Sequence, residues 1–116
     1  MPKAVLIDPY EETVTDIEYD GHYKSIYPLI HCDTFTVVRL GNDDDLFVDD
    51  EGLLKLTPQS KFFKIPAYPS PLAGYGLIVG CDEEGNAADV NHAAEYYRPK
   101  THFLDMEMVY VMGYYR

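Results

Sequence analysis

Hydrophobic and polar positions alternate with a period of two along several short stretches of this chain, separated by glycine, proline and acid–amide clusters. That period puts successive side chains on opposite faces of a strand. Lys3 to Asp8 (KAVLID) is a short apolar run ended by Pro9. Val14 to Tyr19 sets Val14, Asp16 and Glu18 against Thr15, Ile17 and Tyr19. Together they predict a first hairpin, broken by Asp20-Gly21. Between His22 and His31 the period changes: Tyr23, Ile26, Tyr27 and Ile30 fall at helical spacing. Pro28 fits only if that helix starts near Ser25, which leaves the proline in its first turn.

The stretch Cys32 to Lys55 (CDTFTVVRLGNDDDLFVDDEGLLK) organises the rest. Thr34 to Leu40 is β-branched and aromatic, Gly41 to Asp44 has turn chemistry, and Asp45 to Asp49 resumes with Leu46 and Val48 opposite Phe47. This predicts a central hairpin, with Gly52 as the left-handed residue of a second turn. Lys61 to Ile65 predicts a short strand, the three prolines of 66–71 an extended loop, and Gly76 to Cys81 a buried strand. Ala87 to Arg98, with four alanines and Pro99 after it, is the best helix candidate. His102 to Tyr115 alternates and predicts a long final strand. The composite is a single α+β domain over residues 1–116: a small, mostly antiparallel sheet built from hairpins, with one or two helices packed on one face.

Charge changes the picture. Residues 1–51 hold 13 acids and 3 bases, a balance of −10, whereas residues 52–116 hold 7 acids and 6 bases, a balance of −1. Such an acidic half repels nucleic acid and anionic membrane surfaces; by itself it is explained by the solubility of a small protein, and it also offers a surface to a basic protein. Two distant cysteines, Cys32 and Cys81, indicate neither a disulfide framework nor a zinc site and are expected to be buried. No signal peptide or membrane span is evident, so a cytoplasmic protein is expected.

A search for chemistry yields little. Gly74-Tyr75-Gly76 precedes a strand and lacks the spacing of a phosphate loop. The acids of 43–51 do not match the EF-hand pattern and predict, at most, an incidental hard-cation affinity; a solvated sheet edge explains them better. Four histidines show no HxxxH or HExxH arrangement. Cys32 lies between His31 and Asp33, but neighbours on a strand face opposite ways. No catalytic residue, cofactor or metal is therefore expected. The positive signal is tyrosine and acid together, a composition suited to interfaces.

The segments KAVLIDP, VTDIEYDGHYKSIYPLIHCDTFTVVRL, DDLFVDDEGLLK and PLAGYGLIVGCDEEGN resemble an uncharacterised family of small acidic proteins of bacteriophages, plasmids and bacterial genomes. The likeness runs from Lys3 to Asn86, and the helix and strand of 87–116 lie outside it. It supplies no catalytic residues and implies a mobile-element setting. In that setting the acids suggest an inhibitor of a host defence or nucleic-acid-processing protein, acting through a face that imitates DNA charge. Asp43, Asp44, Asp45, Asp49, Asp50 and Glu51 would form it with Glu11, Glu12, Asp16, Glu18 and Asp20 if the two hairpins are neighbours. The expected partner is a basic host protein. The alternatives are a small-ligand or nucleotide sponge with a pocket at Tyr68 and Tyr75, and a structural protein whose 106–115 strand makes a homodimer. An enzyme or metal-dependent protein using Cys32 or His31 is a further alternative.

Overall fold

A computed structural model describes residues 1–113. The first hairpin pairs β1 (Lys3–Asp8) with β2 (Thr13–Glu18), Lys3 opposite Glu18 and Asp8 opposite Thr13. A single 3-10 turn, Tyr23–Ser25, leads into α1 (Ile26–Leu29), so the helix begins just past Ser25 and Pro28 is tolerated in its first turn. The central hairpin joins β3 (Phe35–Arg39) to β4 (Asp44–Asp49) through a turn in which Gly41 and Asp43 are left-handed, with φ of 77° and 71°. Then follow β5 (Lys61–Lys64), β6 (Leu72–Ala73), β7 (Gly76–Cys81), β8 (Ala87–Ala88), α2 (Ala94–Tyr97), β9 (His102–Asp105) and α3 (Met106–Val111).

The larger sheet has the order β2-β1-β7-β4-β3, with β8 added to the end of β7; the smaller has β6-β5-β9. All their pairings are antiparallel. This is an α+β fold with a mostly antiparallel sheet. β7 is central, and its first five residues are all buried because both faces are covered. On one face Val5, Ile7, Val14, Leu46, Val48 and Ile78 pack against Phe63 of the smaller sheet and Ala94 and Tyr97 of α2. On the other, Ala4, Leu77 and Val79 pack against Tyr19 and against Ile26 and Ile30 around α1. Each fully buried side chain of this size contributes about 1.5–3 kcal/mol. A third cluster, Phe62, Leu104 and Val109, holds α3 on the smaller sheet.

Four expectations need correction. The helix over Ala87 to Arg98 shrinks to the four residues of α2, because the chain before it is pulled away by side-chain bonds described below. The long strand from His102 stops at Asp105, whose carboxylate accepts the Met108 N–H (2.8 Å) and caps α3. Glu107 in the first turn and buried Val109 complete the helix; the remainder of the expected strand, 114–115, lies outside the described residues. Gly52 is not left-handed; it opens a 3-10 turn, Gly52–Leu54, where a Cβ would lie 3.2 Å from both the Cβ and carbonyl oxygen of Ala73. Cys32 is buried as expected, but Cys81, at the end of β7, is exposed. Among the described residues no helix is long and apolar enough to cross a membrane.

Candidate functional site

The acidic run at the start of β4 does not sit on a solvated edge. β4 lies between β7 and β3, and strand alternation turns Asp44 inward with Leu46 and Val48. Asp44 is buried, and a buried carboxylate persists only if its oxygens are satisfied. Oδ1 accepts the backbone N–H (2.7 Å) and side-chain amide (3.1 Å) of Asn91. Oδ2 accepts the His92 N–H (3.1 Å) and the Tyr97 hydroxyl (2.5 Å), with His92 Nδ1 at 3.1 Å. Asn42 braces the cluster: its amide donates to the Tyr97 hydroxyl (3.1 Å) and its oxygen accepts the Asp44 N–H (3.1 Å). Burial first, and the bond to Asp44 second, push the Tyr97 phenol above its ordinary range, so it stays a donor.

This node determines the path of residues 89–98. Val90 N–H donates to Lys3 C=O and Lys3 N–H to Asp89 Oδ1, which ties the chain to the start of β1. It crosses β7 at Gly80, whose missing side chain makes room for the Asp89 carbonyl. Asp16 then accepts the Ala94 N–H (2.8 Å) at the start of α2, and Arg98 donates to Val14 C=O (2.8 Å). Helical propensity at 87–93 loses to four fixed anchors. On the outer side, His92 stacks on Tyr96 at 4.2 Å, and Lys100 Nζ lies 4.3 Å from the Tyr96 ring centre.

Two hollows flank the node. A groove of about 760 Å³ is lined by Asp43, Asp44, Asp45, Asp82 and Glu83, with Arg39 as its cation. It continues into a hollow of about 510 Å³ that shares Arg39, Asp45 and Asp82 and adds Tyr19, Tyr23, Val37 and Phe47. Beyond Asn42 and Tyr97 lies a mostly apolar recess of about 280 Å³ between Pro66, Tyr96 and Lys100.

The eleven acids expected to form one face are sorted differently. β1 and β4 both run antiparallel to β7, which separates the two hairpins. Glu18, Asp20 and Asp43 to Asp45 therefore lie toward one end of the sheet, and Glu11, Glu12, Asp49, Asp50 and Glu51 toward the other. Several hold local structure. Asp20 accepts from His22 N–H and the Ser25 hydroxyl, bonds that lower its pKa. Asp49 pairs with Lys55 at 2.7 Å and accepts the Glu51 N–H, while Glu51 accepts the Thr34 hydroxyl. Asp43, Glu11, Glu12, Glu18 and Asp50 remain exposed.

The pocket expected at Tyr68 and Tyr75 is divided. Tyr75 lines a recess of about 170 Å³ with Tyr10, His31 and Lys55, and Tyr68 is not in its lining. Cys32 is no activated nucleophile: burial first, then the Asp49 charge, push its thiol up to about 11. Among the described residues no group of three or more His, Cys, Asp or Glu is arranged to hold a metal ion. Asn91, His92, Tyr97 and Asn42 were not singled out from the sequence; an aspartate at an inward strand position beside Leu46 and Val48 was the available sign.

The fold and node define a small α+β domain with a buried carboxylate cluster between two grooves. The chain belongs to DUF3846, a domain of unknown function, whose family model matches residues 2–102. That match runs past Asn86 and so takes in the segment that completes the node. No curated protein and no solved structure matches the chain.

Proposed function

We propose that this domain is a non-enzymatic binding protein whose acid-lined groove takes a cationic segment of a protein partner. The carrying observation is the groove itself, where Asp43, Asp45, Asp82 and Glu83 face one Arg39 and open onto Tyr19, Tyr23, Val37 and Phe47. A lysine or arginine has an apolar stem and a charged head, and such a lining offers each a matching surface. The phage or mobile-element setting adds the natural class of partner, a basic defence or nucleic-acid-processing protein of the host cytoplasm. Asp43, Asp45 and Glu83 of the groove are the part of the acidic surface suited to imitate phosphates, since Asp16, Asp20, Asp49 and Asp82 are engaged within the fold.

Affinity capture from bacterial lysate tests this at low and high salt. Basic proteins are expected to be retained at roughly 0.05 M salt and lost near 0.5 M. The triple variant Asp43→Asn, Asp45→Asn, Glu83→Gln is expected to weaken binding roughly tenfold or more while leaving the Asp44 node intact. Retention indifferent to both salt and the triple change would sink the reading.

The apolar recess supports a second reading, a small-ligand sponge. Its aromatic wall and Lys100 suit a small planar anion. A nucleotide or aromatic-acid panel is then expected to raise Tm, and Lys100→Ala to remove the shift. No shift with any member at millimolar concentration rejects it.

A further inference from the structure

β3 ends the larger sheet, and no described strand pairs with its outer edge. Its bonds to β4 determine which backbone groups stay free. Asp50 N–H donates to Thr34 C=O and Leu40 N–H to Asp44 C=O, so even-numbered residues of this strand bond inward. The alternation of an antiparallel ladder then points the N–H and C=O groups of Phe35, Val37 and Arg39 outward. Proteins usually blunt such an edge with proline, lysine or a bulge, yet Thr34 to Val38 contains no charge and no proline, and Thr36 and Val37 are exposed. The strand is bounded by Asp33 before it and Arg39 at its end, and no ion pair among the described residues engages either.

We infer that this edge is a homodimer interface, with β3 pairing antiparallel to β3 of a second copy about a two-fold axis at Thr36. The register follows from the residues. Outward-facing positions must meet outward-facing positions, which restricts the axis to Thr36 or to a shift from it that preserves this parity. With the axis at Thr36, Asp33 meets the partner's Arg39 and Phe35 meets the partner's Val37, each pair occurring twice by symmetry. Moving the axis to Val37 sets Arg39 against the partner's Phe35 and leaves both charges unmatched. Opposite charges and aromatic–β-branched pairs are favourable neighbours across strands, so charge and packing select the same register. The two larger sheets become one. Arg39 is also the cation of the acid-lined groove, and its engagement across the axis leaves that groove lined by carboxylates. The test of the dimer needs no groove ligand, so its outcome is read separately from what the groove binds.

Sedimentation of the full chain tests the inference over roughly micromolar to millimolar concentration at physiological salt. The expected result is a change from the 13.3 kDa monomer to twice that mass. Arg39→Asp and Asp33→Arg are each expected to raise the dissociation constant roughly tenfold or more, and the double charge swap to restore it to within about threefold. Val37→Pro removes an outward N–H that β4 does not use and is expected to abolish the dimer; circular dichroism checks that each variant is folded. A monomer throughout the range overturns the proposal. So does a dimer that ignores both single reversals, or folded single variants that the double swap fails to rescue.

Discussion

Asp44→Ala is expected to lower the free energy of unfolding by about 3–5 kcal/mol, the range for removing one partner from a buried charged network. The alanine strands the N–H groups of Asn91 and His92, the Asn91 amide and the Tyr97 hydroxyl, all of which converge on this carboxylate. Each abandoned buried donor costs about 1–3 kcal/mol unless water reaches it, and relaxation of the exposed 89–93 segment recovers part of the sum. Asp44→Asn keeps the volume and one oxygen but turns an amide toward two donors, so its loss falls between wild type and alanine. Urea unfolding near pH 7, followed by circular dichroism, measures both. A loss under about 1 kcal/mol for alanine would mean that the node contributes little to stability. The same node predicts an alkaline limit. The Tyr97 phenol is raised above its ordinary value of 10.0, so its contribution is complete below that pH and is lost as pH climbs through the folded-state value. Tyr97→Phe is expected to flatten that part of the alkaline decline.

The two hairpins, β5 and β7 were legible in the chain because local pattern and tertiary demand agree there, whereas the two-residue β6 and β8 were not, β8 lying inside the expected helix. Val14 against Ile17, Leu46 and Val48 against Phe47, and the unbroken run of β7 each announce a face or a buried centre. Legibility failed where a side chain reaches far along the chain. Asp44 meets its partners 47 to 53 positions later, and within its own neighbourhood it is one of six acids in nine residues, which reads as solvated charge. The alanines of 87–94 favour a helix intrinsically, by tenths of a kcal/mol per residue, and that preference yields to part-buried charge-assisted bonds worth about 1.5–3 kcal/mol each. At the C-terminus the local signal was present but outweighed: Asp105 followed by Met-Glu-Met is a cap and a first turn, and the alternation around it imitated a strand. The candidate site was thus half visible. Asp43, Asp44 and Asp45 were named as candidate acids, but Asp82 and Glu83 of the same groove were not, and the burial of Asp44 that positions the wall was not foreseen.

Gly80→Ala is the second large effect expected, a loss of about 3 kcal/mol or more from a single added methyl. The new Cβ would lie 2.2 Å from the Asp89 carbonyl oxygen, 2.8 Å from its carbonyl carbon and 3.1 Å from the Val90 Cα. All three are backbone atoms, so no rotamer change relieves the contact, and the crossing segment must lift off β7. Lifting it pulls Asn91 and His92 from Asp44 and strains the ties between Lys3 and residues 89–90. Gly76→Ala is a useful contrast, because its added Cβ meets the buried side chains of Phe63 and Leu46, so its overpacking falls on the core and not on the 89–90 backbone. The clash and the carboxylate therefore act through one element, and their effects should not add. In an Asp44→Ala background the segment is already unanchored, so Gly80→Ala should cost less there than in wild type, by roughly 1–3 kcal/mol in a double-mutant cycle. Simple additivity, within about 0.5 kcal/mol, would show that the crossing at Gly80 and the bonds at Asp44 are energetically separate. Coupling of the expected sign would make residues 89–92 a strap that β7 admits and Asp44 holds, and the groove wall at Asn91 would inherit its position from both.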